Sequence, residues 1–274
     1  MLAARLAATT RTATPITLYY AGAGLGIALS GAAIPLLLQG HPDRWPLAWV
    51  GLALAAALAT AASWGAACGD RDQVARPTGR RRLRLLWPVT VAYVLFATGY
   101  LAYLTFLSVY LVDHHATATQ VALTWSLLGA AVVAAPSLWS RPITAWPGTW
   151  ALAALLLGLG AAAALLLGLG AAAALPLLSS EAPLVLASAV AYGATLMSVP
   201  AAVTALVRTH TEPAGWTPTL AALTALFAAG QAAGPWAAGA LAELTSSDAG
   251  LAWTAALCVA AGVLAIAQRP TSRP

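Results

Sequence analysis

The 274 residues are 61% hydrophobic and only 8% charged, with a mean hydropathy of +0.81. Ordinary soluble domains carry about a quarter charged residues, so this chain cannot cover itself in polar surface and a soluble globular class is excluded. All 13 cations are arginine, and with eight acids they leave a net charge of +5, a balance that records membrane orientation rather than nucleic-acid binding.

Stretches free of Asp, Glu, Lys and Arg mark the spans: 12–42, 45–69, 85–112, 116–140, 142–180, 182–207, 213–242 and 249–268. Each holds the roughly 20 residues that a bilayer-crossing helix needs. They predict helices near 16–38, 46–67, 86–111, 118–139, 149–178, 183–207, 217–242 and 249–267, and hence an all-α integral membrane protein with about eight transmembrane helices. The first follows Arg5 and Arg11 as a secretory signal would, but its apolar run is too long for one.

In the first helix Gly22, Gly26 and Gly31 are spaced as G-x3-G-x4-G, and Gly230, Gly234 and Gly239 repeat that spacing in the seventh. Such glycines clear a groove for a close neighbouring helix, and in a transporter the same smooth contacts let one bundle rock on another. Pro35 and Pro235 can bend these two helices, neighbours meeting the freed carbonyls. The second helix leads into the longest polar connection, 69–84, whose six arginines face only Asp70 and Asp72; it reads as a cytoplasmic linker between two bundles, with anionic-lipid binding the alternative.

The third helix places Tyr93, Tyr100, Tyr103 and Tyr110 within an arc of about 100°. Tyr93 and Tyr110 suit the membrane interfaces, whereas Tyr100 and Tyr103 lie near mid-membrane, where a hydroxyl needs a partner, as in an internal polar cavity. At its outer end Asp113, His114 and His115 are adjacent in sequence and cannot all face one metal ion from a regular helix. No metal site, catalytic residue or cofactor is therefore expected.

The fifth run is 39 residues long and contains a tandem decapeptide, AALLLGLGAA at 153–162 and again at 163–172; one overlong helix, lengthened by duplication, is expected. The sixth helix aligns Ser188, Tyr192 and Thr195 on one stripe, and Gln231 is the one amide deep in the seventh. For Gln231, hydrogen bonding between helices and contact with a substrate are both open readings. With eight helices, the N-terminus, the even-numbered loops and the C-terminal tail hold 12 of the 13 arginines, which places both termini in the cytoplasm.

The segments YYAGAGLGIALSGAAIP (19–35), GYLAYLTFLSVYL (99–111), PSLWSR (136–141), VPAAVTALV (199–207) and LFAAGQAAGPWAAGAL (226–241) resemble the YbfB/YjiJ-type branch of the major facilitator superfamily. The resemblance implies that these eight helices correspond to helices five through twelve of a twelve-helix transporter of the cell inner membrane, the first four lacking. Residues 1–15 would then be a cytoplasmic segment, 16–68 two helices of an incomplete N-terminal bundle, 69–85 the central basic loop, 86–267 the six-helix C-terminal bundle and 268–274 a cytoplasmic tail. It also implies that the third and sixth helices line the central cavity, so that Tyr100, Tyr103, Tyr192 and Thr195 face the substrate path, with Gln231 assigned to the same cavity, while the first, fourth and seventh helices act in gating. Where the superfamily's loop motif would supply an aspartate after Trp139 and Arg141, this chain has Pro142, Ile143 and Thr144.

The resulting expectation is transport of a small molecule of unknown identity by alternating access, in a truncated copy; the alternative is a non-transporting accessory subunit or degenerate fragment. The expected partners are that small molecule, membrane lipids, and a second copy or partner supplying the missing helices, with no nucleic acid. No spanning segment carries an internal carboxylate, lysine, arginine or histidine, so coupled uphill transport by this chain alone is not expected.

Overall fold

The computed structural model describes residues 14–68, 83, 86–146, 150, 152–154, 157, 181–245 and 249–266. Its helices are α1 (Thr14–Leu38), α2 (Trp45–Cys68), α3 (Trp87–Asp113), α4 (Ala118–Ala145), α5 (Glu181–Leu196), α6 (Ser198–His210), α7 (Pro213–Leu244) and α8 (Ala249–Ile266), with a 3₁₀ turn at Pro42–Arg44. Trp150, Leu152, Ala153, Ala154 and Leu157 are also helical. Most of the duplicated decapeptide and of the arginine-rich linker lies outside the described residues. Among the described residues there is no strand, and five helices are long and apolar enough to cross a membrane. The protein is thus an all-α, multi-pass membrane protein.

Local chemistry sets the helix ends. Thr117 and Gln120 close a capping box at the start of α4: the Thr117 backbone N–H donates to Gln120 Oε1 at 2.7 Å, and the Gln120 N–H donates to Thr117 Oγ1 at 3.2 Å. Pro88 and Pro213 stand in the first turns of α3 and α7, where a missing N–H costs nothing. Past α1, Gly40 takes a left-handed φ of 72° and turns the chain toward the 3₁₀ turn. At the end of α3, His114 folds back over its own helix, its ring 4.1 Å from that of Tyr110 and its Nδ1 2.8 Å from the Tyr110 carbonyl oxygen.

The helix expected over 183–207 forms as two segments that break at Met197. Pro200 explains the break. It has no N–H for the Leu196 carbonyl and its ring crowds that oxygen, so α5 ends at Leu196 and Pro200 falls in the first turn of α6.

α3 lies against α8, α7 and, through its tyrosines, α5, while α4 lies against α1 and α5, its contact with α1 being the most extensive between any two of the described helices. Lipid tails are as apolar as leucine, so these contacts depend on close fit rather than on water exclusion. A Cβ on Gly24 would stand 2.7 Å from the Gly129 carbonyl oxygen, which fixes how near α1 and α4 approach. Gly193 meets Leu128 of α4 in the same way, and Gly250 meets the Phe106 ring of α3. By contrast, the contacts of α2 are sparse and run to α1 and the 3₁₀ turn, leaving Trp49, Leu54 and Leu58 at 67%, 61% and 73% exposure.

Candidate functional site

The expected tyrosines, serine and glutamine meet where α3, α5 and α7 converge. On α3, Tyr100 and Tyr103 are nearly one turn apart; on α5, Ser188, Tyr192 and Thr195 recur at helical spacing toward them. The rings of Tyr103 and Tyr192 stack with centroids 3.7 Å apart and planes 9° from parallel. The Tyr103 hydroxyl lies 2.9 Å from Ser188 Oγ, and the Tyr192 hydroxyl donates to the Tyr100 carbonyl oxygen at 2.8 Å. Tyr103, Tyr192 and Ser188 are fully buried, where a hydroxyl without a partner would cost about 1–3 kcal/mol.

From α7, Gln231 Nε2 donates to the Tyr100 hydroxyl. The Tyr100 ring sits between those of Phe96, at 4.9 Å, and Phe227, at 5.6 Å, and Phe227 in turn stacks on Tyr93 at 4.8 Å. A run of aromatic faces thus leads along the α3–α7 seam to one hydroxyl and one amide. Tyr103 and Tyr192 are enclosed, whereas Gln231 is only partly buried and lies at the edge of the packed interior. Thr195 is buried too, but its hydroxyl bonds within its own helix, to the carbonyls of Ala191 at 2.9 Å and Tyr192 at 3.1 Å. The structure therefore joins Tyr100, Tyr103, Tyr192 and Gln231 in one network and leaves Thr195 one turn away.

The glycines divide. Gly230 abuts Val94, Ala97 and Thr98 of α3, Gly234 touches the Thr98 backbone, and Gly31 lies against the Trp125 side chain of α4. Gly22, Gly26 and Gly239 have open space where a Cβ would sit. Pro235 follows the Gly234 contact without interrupting α7.

Two side chains of α8, absent from the sequence reading, also belong to this centre. Thr254 Oγ1 donates to the Gly99 carbonyl oxygen at 2.7 Å, and Trp253 Nε1 donates to that of Thr98 at 3.3 Å. Three consecutive carbonyls of α3, at 98, 99 and 100, therefore each receive a donor from another helix. A tryptophan and a threonine side by side in an apolar span were the available signal, because each brings a donor that must be satisfied away from water. Among the described residues no group of three or more His, Cys, Asp or Glu is placed to hold a metal ion.

A multi-pass helical bundle with an uncharged interior of aromatic rings, hydroxyls and one amide defines the class of polytopic membrane proteins that includes small-molecule carriers. The chain belongs to the major facilitator family described as uncharacterised MFS-type transporter YbfB, whose family model matches residues 1–269. No curated protein and no solved structure gives a match.

Proposed function

We propose that the protein passes a small, uncharged, hydrogen-bonding molecule across the cell inner membrane by alternating access, with Tyr100 and Gln231 as its polar contacts. Family membership supports carriage, and one observation carries the choice of site: the Gln231 amide and the Tyr100 hydroxyl satisfy each other across the α3–α7 seam, on a platform formed by Phe96 and Phe227. A substrate that replaces each group's partner lets the seam part without leaving either polar group bare. Its flat or apolar face rests on the aromatic rings. Tyr103, Tyr192 and Ser188 form the stiff backing of the site, and the contacts of Gly230 and Gly234 supply the smooth surface on which α7 moves against α3.

Movement is downhill. Coupling to a proton or sodium gradient requires a titratable or ion-binding group reached from both sides, and the apolar runs that form the spans hold no Asp, Glu, Lys or Arg. The termini lie in the cytoplasm, as the distribution of 12 of 13 arginines supports. Reporter fusions after Pro274 and after Asp248 should then read cytoplasmic and external, respectively.

The test of function is flux into proteoliposomes from a panel of uncharged sugars, polyols and amides, with organic acids and cationic drugs as charged controls that should not pass. At least one compound should equilibrate through the wild-type protein, with no accumulation when a proton or sodium gradient is imposed. Gln231→Leu and Tyr100→Phe should each slow that flux about tenfold, the cost of one well-made hydrogen bond in the transport step, without loss of folded yield. Absence of flux for every compound, or flux indifferent to both substitutions, overturns the proposal.

A further inference from the structure

A cavity of about 240 Å³ lies between α1, α3 and α4. Ile27, Ile34 and Pro35 of α1 form its apolar wall, and the Cβ of Trp125 on α4 lies against Gly31, so closely that a Cβ there would collide with it. Ser30 and Gly31 of α1 and Ser108 of α3 complete the lining, which holds no charged side chain.

The polar atoms of this cavity are incompletely used. Trp125 Nε1 donates to Ser108 Oγ at 3.1 Å, which leaves the Ser108 hydroxyl proton still to be donated; it finds no acceptor among the described residues. Ser30 donates to the Gly26 carbonyl oxygen at 2.7 Å, so its own lone pairs remain open. Pro35 has no N–H, and the Gly31 carbonyl four residues earlier loses its helical donor. One donor and two acceptors therefore border a single apolar space at membrane depth, where water does not compete and unmet polar groups are costly.

We propose that this cavity is a binding site for a compact, uncharged molecule carrying a hydroxyl or amide on an apolar body. Such a ligand accepts from Ser108 and donates to Ser30 or the Gly31 carbonyl, while its hydrocarbon part lies against Ile27 and Ile34. An ion is excluded by the lack of a countercharge. The size favours small ligands, since sites for drug-sized molecules run to roughly 300–1,000 Å³. Ser108 is eight residues beyond Tyr100, about 12 Å along α3 and about 80° around it, so the cavity is separate from the Tyr100–Gln231 seam. It opens beside the contact of α1 with α4, and an occupant wedges between those helices.

Photolabelling tests this independently of transport. The full-length protein in lipid nanodiscs is irradiated with a short-chain aliphatic diazirine alcohol or with the diazirine alkane of equal length, and labelled residues are mapped by peptide mass spectrometry. The alcohol should label 27–35 and 108–125 saturably and at least fivefold above the alkane. Ser108→Ala should lower that labelling about fivefold, the value of one hydrogen bond, and Ile34→Phe, which fills the space, should abolish it. Equal labelling by alkane and alcohol would show an apolar crevice for lipid chains and overturn the proposal. So would absent labelling, or labelling unchanged in both variants; near-UV circular dichroism verifies that each variant is folded.

Discussion

Helices α2 and α3 have the same mean hydropathy over their most apolar windows, 1.7, yet 50% of that window is buried in α3 and none of it in α2. In water such equality would be odd, because burial and hydropathy rise together. In a bilayer, lipid solvates an apolar helix as well as protein does, so hydropathy decides only that a helix inserts. What it packs against is decided by shape and by polar groups needing partners. α3 carries Gly99, Thr98 and four tyrosines; neighbouring helices meet Gly99, Thr98, Tyr93, Tyr100 and Tyr103, and His114 at its own end covers Tyr110. α2 offers alanines and leucines between tryptophans near its ends, and its Thr60 and Ser63 hydroxyls bond to their own helix at 2.8 Å. It presents nothing that calls for a neighbour.

The sharpest way to break this contrast is to put the same large residue on both sides of it. Gly234→Leu drives a side chain into the Thr98 backbone of α3 and should cost about 3 kcal/mol, the upper part of the range for overpacking. Gly51→Leu, in α2, meets open space. Folded yield and thermal stability in detergent should fall sharply for the first and stay level for the second; equal losses would mean that α2 is packed after all.

A finer version compares two positions in one helix. Gly24→Ala places a methyl 2.7 Å from the Gly129 carbonyl oxygen, whereas Gly22 has nothing within 4 Å. Thermal unfolding should show Gly24→Ala destabilised by about 1–2 kcal/mol and Gly22→Ala unchanged or stabilised by up to about 1 kcal/mol, because alanine favours the helix more than glycine does. Next in size is the enclosed pair behind the site. A double-mutant cycle of Tyr103→Phe and Ser188→Ala should give a coupling of about 0.6 kcal/mol, typical of hydrogen bonds between membrane helices. A coupling of zero would detach Ser188 from the network. The smallest effect belongs to Leu58→Ala on α2, 73% exposed, which should alter stability by less than about 0.5 kcal/mol.

The helices were legible because a charge-free run of bilayer length leaves the backbone no other way to satisfy its hydrogen bonds. The polar residues of the site were legible for the same reason: Tyr100, Tyr103, Tyr192 and Gln231 each needed a partner in hydrocarbon, and they found one another. The glycine spacing was legible only in part. Positions nine apart lie about 180° around a helix, so Gly239 faces away from Gly230, and Gly31 away from Gly22. In α1 the contact to α4 is made by Gly24 with Gly31, seven residues apart and within about 20° of each other. Spacing alone does not tell which face has a neighbour, and Gly24 lacks a glycine at the four-residue spacing that draws the eye. The break at Met197 was readable from Pro200 but was hidden by an uninterrupted apolar run.

The most direct test of alternating access asks from which side of the membrane Gln231 can be reached. A cysteine replaces Gln231 or, as the control, Leu58, in a background lacking Cys68 and Cys258, and a small membrane-impermeant thiol reagent is applied to right-side-out and inside-out vesicles. Gln231→Cys should react from both sides, each time protected by a transported compound, and Leu58→Cys from neither. Failure of Gln231→Cys to react from either side, matching the lipid-facing control, would show that Tyr100 and Gln231 are packing alone and contradict a carrier built around them.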